Sequence, residues 1–176
     1  SPFYPPHIGG LESHAREFNE YLSQKGVKIT ALTPQIPQNA PDWEISGNNI
    51  EILRFPAFEP IANYPLPRFW KKAFWEKWQT ILRKDADIVL SRTRFFFTSL
   101  MAWHFSRKKL LPWVHIEHGS DYARFDGTLK TLAGKAYDHL FGRFVLRNSN
   151  WNIANSAASA KFVRMLSDRD KCDIIY

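Results

Sequence analysis

Short apolar, β-branched runs alternate with helical patterns along the whole chain, and this alternation limits the possible folds more than any other feature. The runs lie at 27–33, 50–55, 87–91, 113–117, 151–155 and 172–176. Between them, Leu11, Ala15, Phe18 and Leu22 recur at helical spacing, and Gly26 stops that helix. Leu129, Leu132, Ala133, Ala136, Tyr137, Leu140, Phe141, Phe144 and Val145 share one broad face of the longest helical stretch. A last helix starts at Ser156, a good N-cap, and runs to about Leu166. Nearly continuous apolar strands separated by helices predict an α/β fold with a mostly parallel sheet covered on both faces. The stretch 34–49 is polar and Pro-bearing and reads as loop. Residues 56–67, with Pro56, Pro60, Pro65 and Pro67, read as an irregular surface segment.

The length of 176 residues suits one domain, and 44% hydrophobic residues suffice for its core. Only 23% of residues are charged, which excludes intrinsic disorder. A single cysteine, Cys172, excludes an intramolecular disulfide and a Cys-based zinc site and fits a reducing compartment. No apolar run approaches the roughly 20 residues needed to cross a bilayer. No basic region followed by an apolar stretch marks a secretory signal. The net charge of +7 points to an anionic partner: nucleic acid, a phosphorylated small molecule or a membrane surface.

A Gly turn that opens the first helix of a doubly wound sheet normally follows the first central strand. Here Gly9-Gly10 follow only Ser1-Pro2-Phe3-Tyr4-Pro5-Pro6-His7-Ile8, so the expectation is a domain without its first strand.

Ligands of open α/β sheets bind beyond the carboxyl ends of the strands. Four polar groups are expected there: Gly9-Gly10, Arg92-Thr93-Arg94, His118-Gly119-Ser120-Asp121 and Asn155-Ser156. Glycines at a helix start let backbone approach a phosphate, where free N–H groups and the positive dipole end favour an anion; the pair also reads as an ordinary turn. Glu12 suits the same dipole, and His14 reads as a ligand contact or a packing histidine. His118 is placed to donate to a substrate hydroxyl or act as acid or base, or to be satisfied by nearby backbone. Arg92 and Arg94 are suited to grip phosphate or carboxylate, or are solvated surface arginines. On an extended backbone they point to opposite faces, so one of them is expected at the site. Asp121 and Asp126 are the carboxylates nearest to His118 in sequence. His115-Ile116-Glu117-His118 matches neither zinc-protease spacing, so no metal site is expected.

The stretch 68–84, from Arg68 to Lys84, holds six cations against one acid and three of the seven tryptophans. Trp70, Phe74, Trp78 and Ile81 line one face, with Trp75 off it. A helix of this kind covers a sheet with its apolar stripe, and its cations and Trp75 also suit an anionic membrane surface.

Phe3-Tyr4-Pro5-Pro6-His7-Ile8-Gly9-Gly10-Leu11-Glu12-Ser13-His14 closely resembles the opening of family-4 glycosyltransferases, which are retaining enzymes of the GT-B fold. Gly26 to Thr33, Ala86-Asp87-Ile88-Val89, Trp113 to Gly119, Asn152 to Ser156 and Asp173 to Tyr176 resemble later segments of that family in the same order. The resemblance implies a Rossmann-like three-layer sandwich, the N-terminal, acceptor-side half of a GT-B enzyme over residues 1–176, without the C-terminal donor-binding domain. It implies that Gly9 and Gly10 lie by the diphosphate of a nucleotide-sugar and that His118 contacts the donor sugar near the reaction centre. Glu12, His14, Arg92, Arg94, Gly119, Asp121 and Ser156 are then candidate acceptor or substrate contacts. No metal or other cofactor is expected. Where the family often has His, this chain has the segment 90–94 with its two arginines.

The resulting expectation is transfer of a hexosyl-type sugar, with retention, to a glycan or lipid-linked acceptor in cell-surface polysaccharide synthesis. The enzyme is expected in the cytoplasm, at the inner face of the membrane, with this fragment inactive alone. The alternatives are a GT-B nucleotide-sugar epimerase and a non-catalytic, basic α/β module that binds nucleic acid. No RNP, KH or helix-turn-helix signature supports the last, and nucleic acid is not expected as a partner.

Overall fold

A computed structural model describes all residues except Asn48, Ala62, Arg124, Phe125, Asp126, Lys171 and Tyr176 and the side chain of Lys130. Asp126, one of the two carboxylates picked from the sequence, and the end of the last predicted strand therefore lie outside the described residues. The chain forms two compact units, Ser1–Asp85 and Ala86–Tyr176.

In the first unit, helix α1 (Gly10–Gln24) is followed by β1 (Ile29–Pro34), β2 (Trp43–Ser46), β3 (Ile50–Phe55), β4 (Ala57–Ile61), β5 (Tyr64–Pro67) and helix α2 (Lys72–Leu82). Gly26 ends α1 as predicted, at φ 85°, with its N–H on the Ser23 carbonyl. β1 and β3 pair in parallel, Ile29 opposite Ile50, and β2 adds to β3 antiparallel. Tyr4, Ala15, Ala31, Ile50 and Ile52 form the core beneath α1. Two expectations need correction here. The stretch read as loop contains β2, and the segment read as irregular holds the antiparallel pair of β4 (Ala57–Ile61) and β5 (Tyr64–Pro67). β4 and β5 form a two-stranded sheet, so each keeps an unpaired edge on which proline is tolerated.

α2 packs on β3 through Phe74, Trp78, Ile81 and Leu82, and Phe74 meets Phe55 edge-on at 5.8 Å. The apolar stripe thus covers a sheet. Trp70, however, precedes the helix, is 67% exposed and lies against Phe58. Trp75, 49% exposed, turns its indole back to donate to the Phe69 carbonyl at 2.8 Å.

The second unit contains β6 (Val89–Arg92), α3 (Phe97–Lys109), β7 (Trp113–Glu117), α4 (Thr128–Tyr137), a π turn (Asp138–Gly142), α5 (Arg143–Asn148), β8 (Trp151–Ala154), α6 (Ala157–Ser167) and β9 (Asp173–Ile174). Its sheet runs β6-β7-β8-β9 with every pair parallel and a helix in each connection, as the alternation predicts. Leu146, Ala154, Ala160, Phe162, Val163 and Leu166 fill its core. Ser156 caps α6, its Oγ accepting from the Ser159 N–H at 3.1 Å.

The longest helical stretch departs from its sequence pattern. Leu129 is 81% exposed, and Leu132, Ala133, Ala136, Leu140 and Phe141 are exposed too. The buried side carries Gly134, Asp138 and Gly142. Only at its end does the apolar face read from the sequence turn in, with Phe144 half-buried and Val145 fully buried; from Leu129 to Phe141 most of it therefore looks outward, with Tyr137 half-buried. The reason is a polar partner inside: Asp138 accepts from Arg94 Nη2 at 3.0 Å. Gly142 lets that pair sit close, because a Cβ there would lie 2.8 Å from Asp138 Oδ1 and 3.3 Å from Arg94 Cδ.

Candidate functional site

Three of the four polar groups predicted at strand ends lie in the second unit. Register puts Arg92 opposite Ile116 and Glu117 opposite Ala154, so β6, β7 and β8 end side by side. Arg92 to Arg94, His118-Gly119 and Asn155-Ser156 therefore emerge at one edge of a parallel sheet, the edge where such sheets bind ligands. His118, half-buried, faces Asn155, whose Nδ2 lies 3.3 Å from His118 Nδ1. Ser159 Oγ donates to the His118 carbonyl at 3.3 Å, tying the loop to the first turn of α6. Gly119 is half-buried, Ser156 is held as the cap of α6, and Asp121 is exposed with Oδ1 accepting from the Tyr122 N–H.

Neither arginine is a solvated surface residue: Arg92 and Arg94 are both buried. Nor do the two arginines alternate along an extended backbone, because Thr93 between them has φ 59° and turns the chain through the left-handed region. Arg94 Nη1 pairs with Glu117 Oε1 at 3.1 Å, and Nη2 with Asp138 Oδ2 and the Asp121 carbonyl at 3.0 Å each. Its guanidinium also lies 4.3 Å from the centre of the Phe162 ring. Arg94 thus turns both terminal nitrogens to partners inside the protein.

The residue that sequence reasoning missed is Glu117. Its carboxylate is fully buried at the end of β7. Oε1 accepts from the N–H groups of His118 (3.0 Å) and Gly119 (2.7 Å), and Oε2 from the N–H of Arg94 (3.1 Å). His115 Nε2 lies 3.3 Å from Oε2. Trp113 Nε1 donates to Ser91 Oγ at 2.8 Å, which leaves the Ser91 hydroxyl proton for His115 Nδ1, also at 2.8 Å. That fixes the His115 proton on Nε2, facing Glu117. Burial alone would raise the Glu117 pKa, but the His115 bond, the Arg94 charge and the Gly119 N–H overcome it and hold the carboxyl at about 2. Asp138 goes the other way: burial raises its pKa, Arg94 offsets only part of that, and the nearby Glu117 charge adds to the rise. The signal for Glu117 was an acid at the end of a buried strand, where an unpaired charge is not tolerated.

The Gly9-Gly10 turn belongs to the first unit. A Cβ on Gly9 would lie 2.5 Å from Glu12 Oε2, so this glycine makes room for the Glu12 carboxylate, which folds back over the helix start and pairs with His7. At Gly10 a Cβ would meet open space. His14 is half-buried and stacks on Phe18, with ring centres 6.1 Å apart.

The profile of Glycosyltransferase Family 4 matches residues 8–176. The chain belongs to this family. It is 36% identical over 182 aligned residues to a protein of Methanocaldococcus jannaschii named as an uncharacterized glycosyltransferase, covering 99% of this chain and 45% of that relative. The family-4 chain therefore spans about half the length of this curated relative. Among solved structures it shares its fold with sucrose-phosphate synthase from Thermosynechococcus elongatus, at a TM-score of 0.65 and 15% identity over 96% of this chain and 42% of that one. The α/β fold with a parallel sheet, and its likeness to half of a GT-B glycosyltransferase, agree with the sequence expectation. Among the described residues no helix is long and apolar enough to cross a membrane.

Proposed function

We propose that this domain holds the acceptor side of an enzyme that moves a hexosyl-type sugar from a nucleotide-sugar to a glycan or lipid-linked acceptor, with retention and without a metal or other cofactor, in cell-surface polysaccharide synthesis. The observation that carries the reading is His118 on its loop at the carboxyl edge of β7, tied to Asn155 and to the start of α6. In this role His118 Nε2 addresses the donor sugar near the breaking bond, and preorganised donors stabilise the departing diphosphate. Gly9 and Gly10 are proposed at the diphosphate. Glu12, His14, Arg92, Gly119, Asp121 and Ser156 are proposed around the acceptor. Arg94, with its terminal nitrogens turned to Glu117 and Asp138, acts there through the loop it braces. The family-4 membership supports these assignments, and the sheet-edge geometry of the second unit supports those of His118, Gly119 and Ser156. The test is sugar transfer by the whole protein: His118→Ala is expected to lower turnover strongly with the fold intact, and near-normal turnover would refute the role. This domain expressed alone is expected to transfer no sugar.

A peripheral position at the cytoplasmic face of an anionic membrane belongs to the same proposal. It is supported by exposed Phe69, Trp70 and Trp75 beside exposed Lys71 and Lys72. Co-sedimentation with phosphatidylglycerol vesicles at low salt is the expected result, and its absence would remove the membrane contact.

A further inference from the structure

The geometry points to Glu117 as a positioning residue: its buried carboxylate gathers the backbone N–H groups of His118, Gly119 and Arg94 and thereby sets the pose of the His118 loop. The proposal rests on the reading of His118 as the residue at the reaction centre. A strand that ends on a catalytic loop needs something to fix the first residues beyond it, because loop backbone has no ladder of its own. Here that something is a single side chain. Oε1 takes the two successive N–H groups at 3.0 and 2.7 Å, while Oε2 reaches across to the N–H of Arg94 on the neighbouring strand end. Arg94 completes the grip from the other end of the loop, donating to the Asp121 carbonyl at 3.0 Å, and Ser159 holds the His118 carbonyl between them. The loop from 118 to 121 is thus pinned through its own backbone at four points.

Glycine at 119 is part of this arrangement. A Cβ there would lie 2.9 Å from Arg94 Nη1 and 3.1 Å from Glu117 Oε1, so any side chain would push the carboxylate and guanidinium away from the backbone they hold. A buried acid used only to fill space would not be met by donors on every side. Glu117 is met by backbone N–H groups, the guanidinium and the oriented Nε2–H of His115. Both oxygens accept, so an amide at this position must turn its NH2 against donors whichever way it flips.

The test compares Glu117→Gln and Glu117→Asp in the whole protein, with turnover, KM and the backbone amide resonances of His118 and Gly119 as readouts. Glu117→Gln preserves volume but lacks the second acceptor. Glu117→Asp loses a methylene but keeps the charge, both oxygens and the short reach to the N–H two residues on. Positioning predicts the order Glu, Asp, Gln: turnover falling about 10–100-fold in the Gln variant with KM for the donor changed much less, and the two amide protons moving upfield as they lose a charged acceptor. A volume role predicts the reverse order, with Gln close to the unaltered protein, and that result overturns the proposal. Unchanged turnover with shifted amides overturns it as well. If Glu117→Gln does not fold, the Asp variant decides: amides held downfield with turnover within about tenfold uphold the role, and released amides with full turnover end it. If the unaltered protein transfers no sugar, the proposed function fails separately, and the order of the amide shifts still decides whether Glu117 sets the loop.

Discussion

Arg94 and Glu117 face each other at 3.1 Å with the arginine side chain 3% exposed and the glutamate 0%. A pair this deep has given up its hydration, so its members depend on each other more than the intact pair adds to stability. Replacing Arg94 by Met keeps much of the volume and removes the cation that two buried carboxylates, Glu117 and Asp138, share. We expect Arg94→Met to cost about 3–5 kcal/mol, read as a lower urea midpoint at neutral pH. An unchanged midpoint would mean that Arg94 is not the counter-charge of this core.

The same network gives the protein an acid-side dependence whose sign follows from Glu117. Its pKa drops from 4.5 to about 2 on folding, so its contribution is present above pH 4.5 and is lost as pH falls through 2. A shift of that size corresponds to about 3 kcal/mol, reduced by Asp138, whose raised pKa means that protonating it relieves rather than weakens the fold. Carbon-13 NMR of the Glu117 carboxyl should show it still ionised at pH 3.5. A midpoint at or above 4.5 would contradict the donor arrangement around it.

The strands legible in the sequence are the apolar runs, two in the first unit's sheet and four in the second's, of which β3 and β7 are buried almost throughout; each of the six predicted runs holds a strand. β2 was not legible: it is an edge strand with the exposure pattern of a surface segment, and only its pairing with β3 gives it order. The β4–β5 pair was hidden by its prolines. At the sheet edge, position relative to the strand ends, a local property, anticipated where His118, Gly119 and Ser156 lie. The roles of Glu117, Arg94 and Asp138 depend on contacts between residues 23, 27 and 44 positions apart, and no local pattern carries those.

Glycines test the packing at two places with opposite outcomes. Gly119→Ala forces a methyl between Arg94 and Glu117 and should destabilise by about 1–3 kcal/mol. Gly10→Ala adds a methyl to open space in the first turn of α1, where alanine favours the helix, and should be neutral or slightly stabilising. Thermal unfolding of the two variants side by side checks both, and equal losses would count against the close approach at Gly119.

The outward-facing leucines give the sharpest test of how the 128–148 stretch is seated. Helical periodicity alone assigns Leu132 and Leu140 to the same apolar face as Val145, but the π turn shifts the register between them and Asp138 claims the inner side. Leu132→Ser and Leu140→Ser should then change stability by no more than about 0.5 kcal/mol, the range of ordinary surface substitutions. Leu146→Ala, in the core with Ala154 and Val163, should cost about 2–5 kcal/mol. Urea unfolding of the three variants decides between the two orientations. Large losses at 132 and 140 with a small one at 146 would mean that the helix buries its leucines, and the Arg94–Asp138 pair would then have no place in the core.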